Sequence, residues 1–158
     1  MVDTKGACFT SNSDEWSTPK ELYDRLDRDY HFTLDPCASD DNHKCDKYFT
    51  IEDDGLEQSW EGETVFVNPP YSKLYDWVKK CYNESKKPNT KVWLLIPART
   101  DTRAFHQFIM KSDFVYFIKG RLKFGSCKTP APFPSMLVYF DTHSLGSPEF
   151  ATWDQKDA

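Results

Sequence analysis

The stretch "KVWLLIP", residues 91 to 97, limits the possible folds more than any other part of the chain. After Lys91 it is apolar without alternation, the pattern of a strand buried on both faces. Such a strand needs layers on each side of its sheet, and helices around a largely parallel sheet provide them. The neighbouring segments fit that plan. "HFTLD", "KYFTI", "TVFVN", "FVYFIKG" and "SMLVYF" read as further strands. Leu74, Trp77, Val78, Cys81 and Tyr82 recur at helical spacing, and Phe105, Phe108 and Ile109 mark another helix. "STPKELYDRLDRDY" opens a helix with Thr18 as N-cap, Pro19 at the first position and Glu21 completing a capping box. The order of elements predicts an α/β fold, and 158 residues suit one domain. Residues 1–13 and 142–158 carry no pattern and are expected to be loose tails.

One strand ends unusually. In "TVFVNPPYSKLYDWVKKC", residues 64 to 81, the apolar run meets two prolines and then a helix begins. Neither proline has an N–H for the ladder, and the residue before a proline is held extended. The result is a stiff spur that presents the Asn68 amide, backbone carbonyls and the Tyr71 ring. In parallel α/β sheets, ligands bind beyond the carboxyl ends of the strands. Asp35, Asn68 and "PARTDTR" all fall at such ends, so an active-site cleft is expected there.

Composition narrows the class of function. No apolar run reaches membrane-span length and the N-terminus lacks a signal-peptide plan, so a cytoplasmic protein is expected. Five irregularly spaced cysteines read as free thiols. His31, Cys37, His43 and Cys45 lie close in sequence but match no common zinc spacing, and no metal is expected. The net charge of −5 argues against a wholly basic nucleic-acid binder. Acidic residues crowd Asp35 to Glu63, whereas between Lys91 and Lys128 basic residues outnumber the acids Asp101 and Asp113. This distribution leaves room for a locally basic face on an acidic body.

Seven blocks then point to a family. "DEWSTP", "LDPCAS", "YFTIEDDGL", "VFVNPPYSK", "LLIPARTDT", "GRLKFG" and "APFPSMLVYF" resemble, in that order, the phage and prophage DNA N-6-adenine methyltransferases (Dam-like). The resemblance implies a Rossmann-like class I methyltransferase fold: a mostly parallel sheet, a C-terminal antiparallel strand pair and helices on both faces. It implies S-adenosylmethionine as cofactor. It implies DNA as partner, single-stranded or double-stranded with base flipping, inside a bacterial or phage-infected cell. Catalysis would fall to Asn68, Pro69, Pro70 and Tyr71. The Asn68 side-chain oxygen and the Pro69 carbonyl would accept both hydrogens of the target amine, and Tyr71 would stack on the base. Cofactor contacts would come from Trp16, Ser17, Thr18 and Pro19, from Asp35, Pro36, Cys37 and Ala38, and from Asn68. Asp54 is the preferred acid of "EDDGL", with Asp53 next. The family's glycine-rich F-x-G-x-G is absent after the first strand, where Ala38 and Ser39 are the only small residues. Arg99, Thr100, Arg103, Arg121 and Lys123 would meet DNA, and Phe133 would help sandwich the flipped base.

Other readings stand beside these. "NPPY" also serves as a plain strand-ending turn, "EDDGL" as a solvated acidic loop, and Phe133 as a buried aromatic. Amino-methyltransferases of RNA bases or protein glutamine share Asn-Pro-Pro-Tyr, because the acceptor geometry is the same. A catalytically silent binding module of the same fold is the alternative from another class.

Overall fold

The computed structural model describes residues 17–125, 128–142 and 146–156. Three α-helices are present among them: α1 (Lys20–Tyr30), α2 (Leu74–Ser85) and α3 (Arg103–Gln107). The strands in chain order are β1 (Leu34–Asp35), β2 (Lys47–Tyr48), β3 (Thr64–Val67), β4 (Lys91–Pro97), β5 (Phe114–Ile118), β6 (Ser135–Phe140) and β7 (Glu149–Trp153). They form one sheet in the order β2-β1-β3-β4-β6-β5-β7. Every neighbouring pair is parallel except the two that involve β6. All strands but β6 therefore end on one edge, and β6 begins there. This is the Rossmann-like α/β arrangement.

Period-2 alternation distributes the core to both faces. Val92, Leu94 and Ile96 of β4 pack with Trp77, Val78 and Cys81 of α2 and with Ala104 and Phe105 of α3. Trp93 and Leu95, the residues between, pack with Leu22, Tyr23 and Leu26 of α1. β3 divides in the same way, with Val65 and Val67 toward α2 and Phe66 toward α1. The continuous apolar run in β4 thus reflects helices on both sides of a central strand.

Two expectations are corrected. The first residue of α1 is Lys20, and its N-cap is Pro19, with no side-chain cap. The Thr18 hydroxyl instead accepts a hydrogen bond from Asn68 Nδ2 at 3.0 Å, so a partner from the end of β3 has claimed the predicted capping group. The second correction concerns the tail. Glu149–Trp153 is strand β7, paired in parallel with β5 from Phe114↔Glu149 to Ile118↔Trp153. Its only fully buried residue is Trp153, covered by the Arg25 guanidinium at 3.8 Å. An edge strand with one apolar anchor leaves little pattern to read. Residues 1–13, expected to be loose, and Trp16 lie outside the described residues.

The long segment between β1 and β3 is irregular, as its composition implies, yet it has an anchor. Trp60 is fully buried, donates its indole N–H to the Gly55 carbonyl at 3.0 Å, and stacks on Trp77 of α2. Its backbone N–H donates to Glu84 Oε2 at 3.1 Å. Glu84 also pairs with Lys80 and Lys87, which fixes the segment to α2.

Candidate active site

A cleft of about 630 Å³ opens at the carboxyl edge of β1 and β3. Thr18, Asp35, Cys37, Asp54, Asn68 and Lys73 are among its walls. Its size falls within the range of small-molecule sites.

Asn68 sits where β3 runs out. Pro69 is buried behind it, Pro70 is extended (φ −64°, ψ 134°), and Tyr71–Lys73 form one 3₁₀ turn leading into α2. The prolines thus hold Asn68 extended at the cleft wall, as steric restriction requires. Two separate segments grip it. Thr18, 6% exposed, accepts from the amide nitrogen, and the Cys37 thiol donates to the Asn68 backbone carbonyl at 3.2 Å. With Nδ2 committed to Thr18, Oδ1 occupies the opposite arm of the amide and is itself buried. Burial pushes the Cys37 thiol well above its ordinary pKa, which keeps its proton in place for donation.

Asp35 ends β1 inside the cleft and is buried. Its Oδ2 accepts from the Lys44 backbone N–H at 3.0 Å, and its carbonyl from Phe49 N–H. Desolvation raises the carboxyl pKa despite the N–H groups of Lys44 and Cys37, which act to lower it. Such a group favours a cationic neighbour. The turn after Asp35 lacks glycine, and the close backbone approach occurs instead at Gly55. A side chain at Gly55 would meet the Pro36 carbonyl oxygen at 2.0 Å. Gly55 was legible only as the small residue of "EDDGL".

The acidic loop separates its two candidates. Asp53 turns its carboxylate back to the Thr50 N–H and hydroxyl, at 2.9 and 3.2 Å. Asp54 adopts a left-handed conformation (φ 54°), is exposed, and lines the cleft. Glu52 and Ile51 also line it, and sequence reasoning singled out neither. Ile51 is 91% exposed, an apolar side chain open to solvent on the cleft wall. Ser17, Pro36, Ala38 and Pro70 are cleft residues as well, whereas Pro19 and Pro69 are not.

The predicted DNA-contacting residues lie on loops and at a helix start along the same sheet edge. Arg99 and Thr100 are exposed beyond β4, and Arg103 is exposed at the start of α3 with its guanidinium 4.2 Å from the Tyr75 ring centroid. Arg121 and Lys123 are exposed on the segment after β5, above buried Leu122 and Phe124. Arg121 also donates to the Ala131 carbonyl at 3.3 Å. Tyr71 and Phe133 meet edge to face, 5.4 Å between centroids. That contact places Phe133 beside the ring of the Asn-Pro-Pro-Tyr spur.

Among the described residues, no three His, Cys, Asp or Glu side chains gather as a metal set. His43 stacks on Tyr48 at 4.0 Å, Cys45 meets the Tyr23 hydroxyl, and Cys37 meets Asn68. No helix among these residues is long and apolar enough to cross a membrane.

A Rossmann-like sheet whose cleft joins a buried acid after β1 to an Asn-Pro-Pro-Tyr spur after β3 defines a class I methyltransferase, and such an enzyme works with a methyl donor. The family described as DNA N-6-adenine-methyltransferase (Dam) matches residues 5–142, and the chain belongs to it. A DNA N-6-adenine-methyltransferase of Haemophilus phage HP1 is 28% identical over 146 residues, covering 87% of this chain and 84% of that protein. One from Escherichia phage T1 is 32% identical over 111 residues, covering 69% of this chain and 46% of the phage T1 protein.

Proposed function

We propose that the protein transfers a methyl group from S-adenosylmethionine to the N6 amine of adenine in DNA. The observation that carries this reading is the grip on Asn68, whose amide nitrogen is committed to Thr18 beside a cleft that contains a buried carboxylate. Family membership supplies DNA and adenine. The cleft fits the cofactor in chemistry as well as size. Asp35, desolvated and raised in pKa, suits a cationic ligand, and Asp54 with Glu52 offers acceptors for hydroxyl groups.

When bound, the cofactor supplies an electrophilic methyl and leaves as a neutral thioether. The remaining work belongs to the chain. An adenine amine is a poor nucleophile because its lone pair is delocalised into the ring. Asn68 Oδ1 and the Pro69 carbonyl accept its two hydrogens and draw the nitrogen toward a tetrahedral shape. The same two dipoles would stabilise the positive charge that grows on that nitrogen during methylation. The methylated nitrogen then sheds one proton to solvent. Because Asn68 is partly buried at the wall, a base stacked in a duplex cannot reach it and must leave the stack. Arg99 and Arg103 hold the flanking phosphates.

The test is incubation with methyl-labelled cofactor and DNA, RNA or protein, followed by nucleoside analysis. Label in N6-methyladenine from DNA is expected. Label only in RNA or protein, or no transfer at all, contradicts the reading.

A further inference from the structure

Asn68 is held at both its side chain and its backbone, and neither partner is near it in sequence. Thr18 lies 50 residues away and grips the amide; Cys37 lies 31 residues away and grips the carbonyl. Both partners line the cofactor cleft, one from the segment before α1 and one from the turn after β1. We propose that Thr18 and Cys37 are positioning residues that align the Asn68 acceptor and tie its alignment to the walls of the cofactor cleft. The proposal rests on Asn68 being the acceptor in the methyl-transfer reaction.

The two arms of a side-chain amide have nearly the same shape, so hydrogen-bond partners decide which arm faces a substrate. If the amide turned over, an NH₂ group would face the target amine, donor against donor, and the stabilising dipole would be reversed. Thr18 holds Nδ2 away from that position. Cys37 acts one bond further back: its S–H tethers the carbonyl that leads into Pro69, the second proposed acceptor. Burial keeps the thiol protonated, and therefore a donor, across the neutral range. Both holders line the cleft, so the acceptor's alignment and the cofactor site share the same walls. Neither residue touches the reacting atoms in this account.

Thr18→Val removes the hydroxyl at nearly constant volume, and Thr18→Ser restores it. The experiment is single-turnover methylation of DNA at saturating cofactor, with affinity for the demethylated cofactor measured by calorimetry. In the otherwise unchanged chain, Thr18→Val is expected to lower the rate about tenfold, the worth of one buried hydrogen bond. Thr18→Ser should recover most of that loss. In an Asn68→Ala background the same Thr18→Val change should alter the rate less than about twofold, because the side chain it positions is gone. An equal loss in both backgrounds means that Thr18 acts on folding or on the cofactor, and overturns its assignment. For Cys37, Cys37→Ser keeps a donor and should outperform Cys37→Ala at equal cofactor affinity; equal rates overturn that half. If Asn68→Ala itself is fully active, the underlying acceptor reading fails instead, so the two failures are distinct.

Discussion

Two buried carboxylates, Asp35 and Glu84, divide the molecule into a working side and a holding side. Each is under one-tenth exposed, and each lies against the irregular segment between β1 and β3. Asp35 faces the cleft and its pKa is raised, because burial outweighs the two N–H groups that reach it. Glu84 is also penalised by burial, yet Lys80, Lys87 and the Trp60 N–H overcome that penalty and lower its pKa. The same residue class at similar depth is thus neutralised by the fold in one place and left short of positive charge in the other. A carboxylate whose burial outweighs its nearby charges, here Lys44 and His43, suits a cationic ligand, and functional sites are where such tension collects.

The largest expected effect breaks the holding side. Glu84→Ala strands the Trp60 N–H and two lysines, and should cost about 3 kcal/mol of stability. Denaturant unfolding measures it, and methylation per folded molecule should survive at low temperature. A loss below about 0.5 kcal/mol, the range of ordinary surface substitutions, would remove Glu84 from the account.

The second effect sharpens the comparison through pH. A carboxyl whose folded pKa is raised contributes stability that is present at low pH and lost as pH climbs through that pKa. Glu84, lowered, contributes stability present at neutral pH and lost as pH falls. Asp35→Asn should therefore raise the thermal midpoint at pH 7 while weakening cofactor binding about tenfold, a trade of stability against function. Wild-type cofactor affinity should fall as pH drops through the Asp35 pKa, and the Asp35→Asn protein should lose that dependence. A lowered midpoint with unchanged affinity would make Asp35 structural.

How much of this division was legible in the sequence follows from the range of the forces involved. The β4 run and the α2 stripe were readable because burial repeats with strand or helix period. The Asn68 spur was readable because two prolines act locally. Thr18 was misassigned because its hydroxyl could serve either a helix N-terminus or a distant amide, and only the fold decides between them. Glu84 carries no local signal of its role, since its partner Trp60 is 24 residues away in a polar stretch. The need for glycine at Gly55 becomes visible only when the loop is seen against Pro36. Strand β7 lay in the stretch read as a tail because an exposed edge has almost no apolar signature.

The smallest effects lie on the DNA side. Arg99→Ala and Arg103→Ala should each reduce the salt slope of DNA binding by about one and leave cofactor affinity unchanged. Arg103 should be the weaker loss, because its guanidinium already stacks on Tyr75. Titration at several salt concentrations resolves both, and unchanged slopes would move the DNA path off this edge.

The central claim is that Asn68 accelerates the reaction by accepting a hydrogen bond from the target amine. Single-turnover methylation by wild type, Asn68→Ala and Asn68→Asp at saturating cofactor tests it directly. Asn68→Ala should lose about 10²–10³ in rate, the typical worth of one preorganised polar group, with cofactor affinity preserved. Asn68→Asp keeps an acceptor at the same reach, and the Thr18 hydroxyl can turn to donate to it, so its rate should stand well above that of Asn68→Ala. Equal rates for Asn68→Ala and wild type would contradict the account and leave the two prolines as no more than the end of a strand.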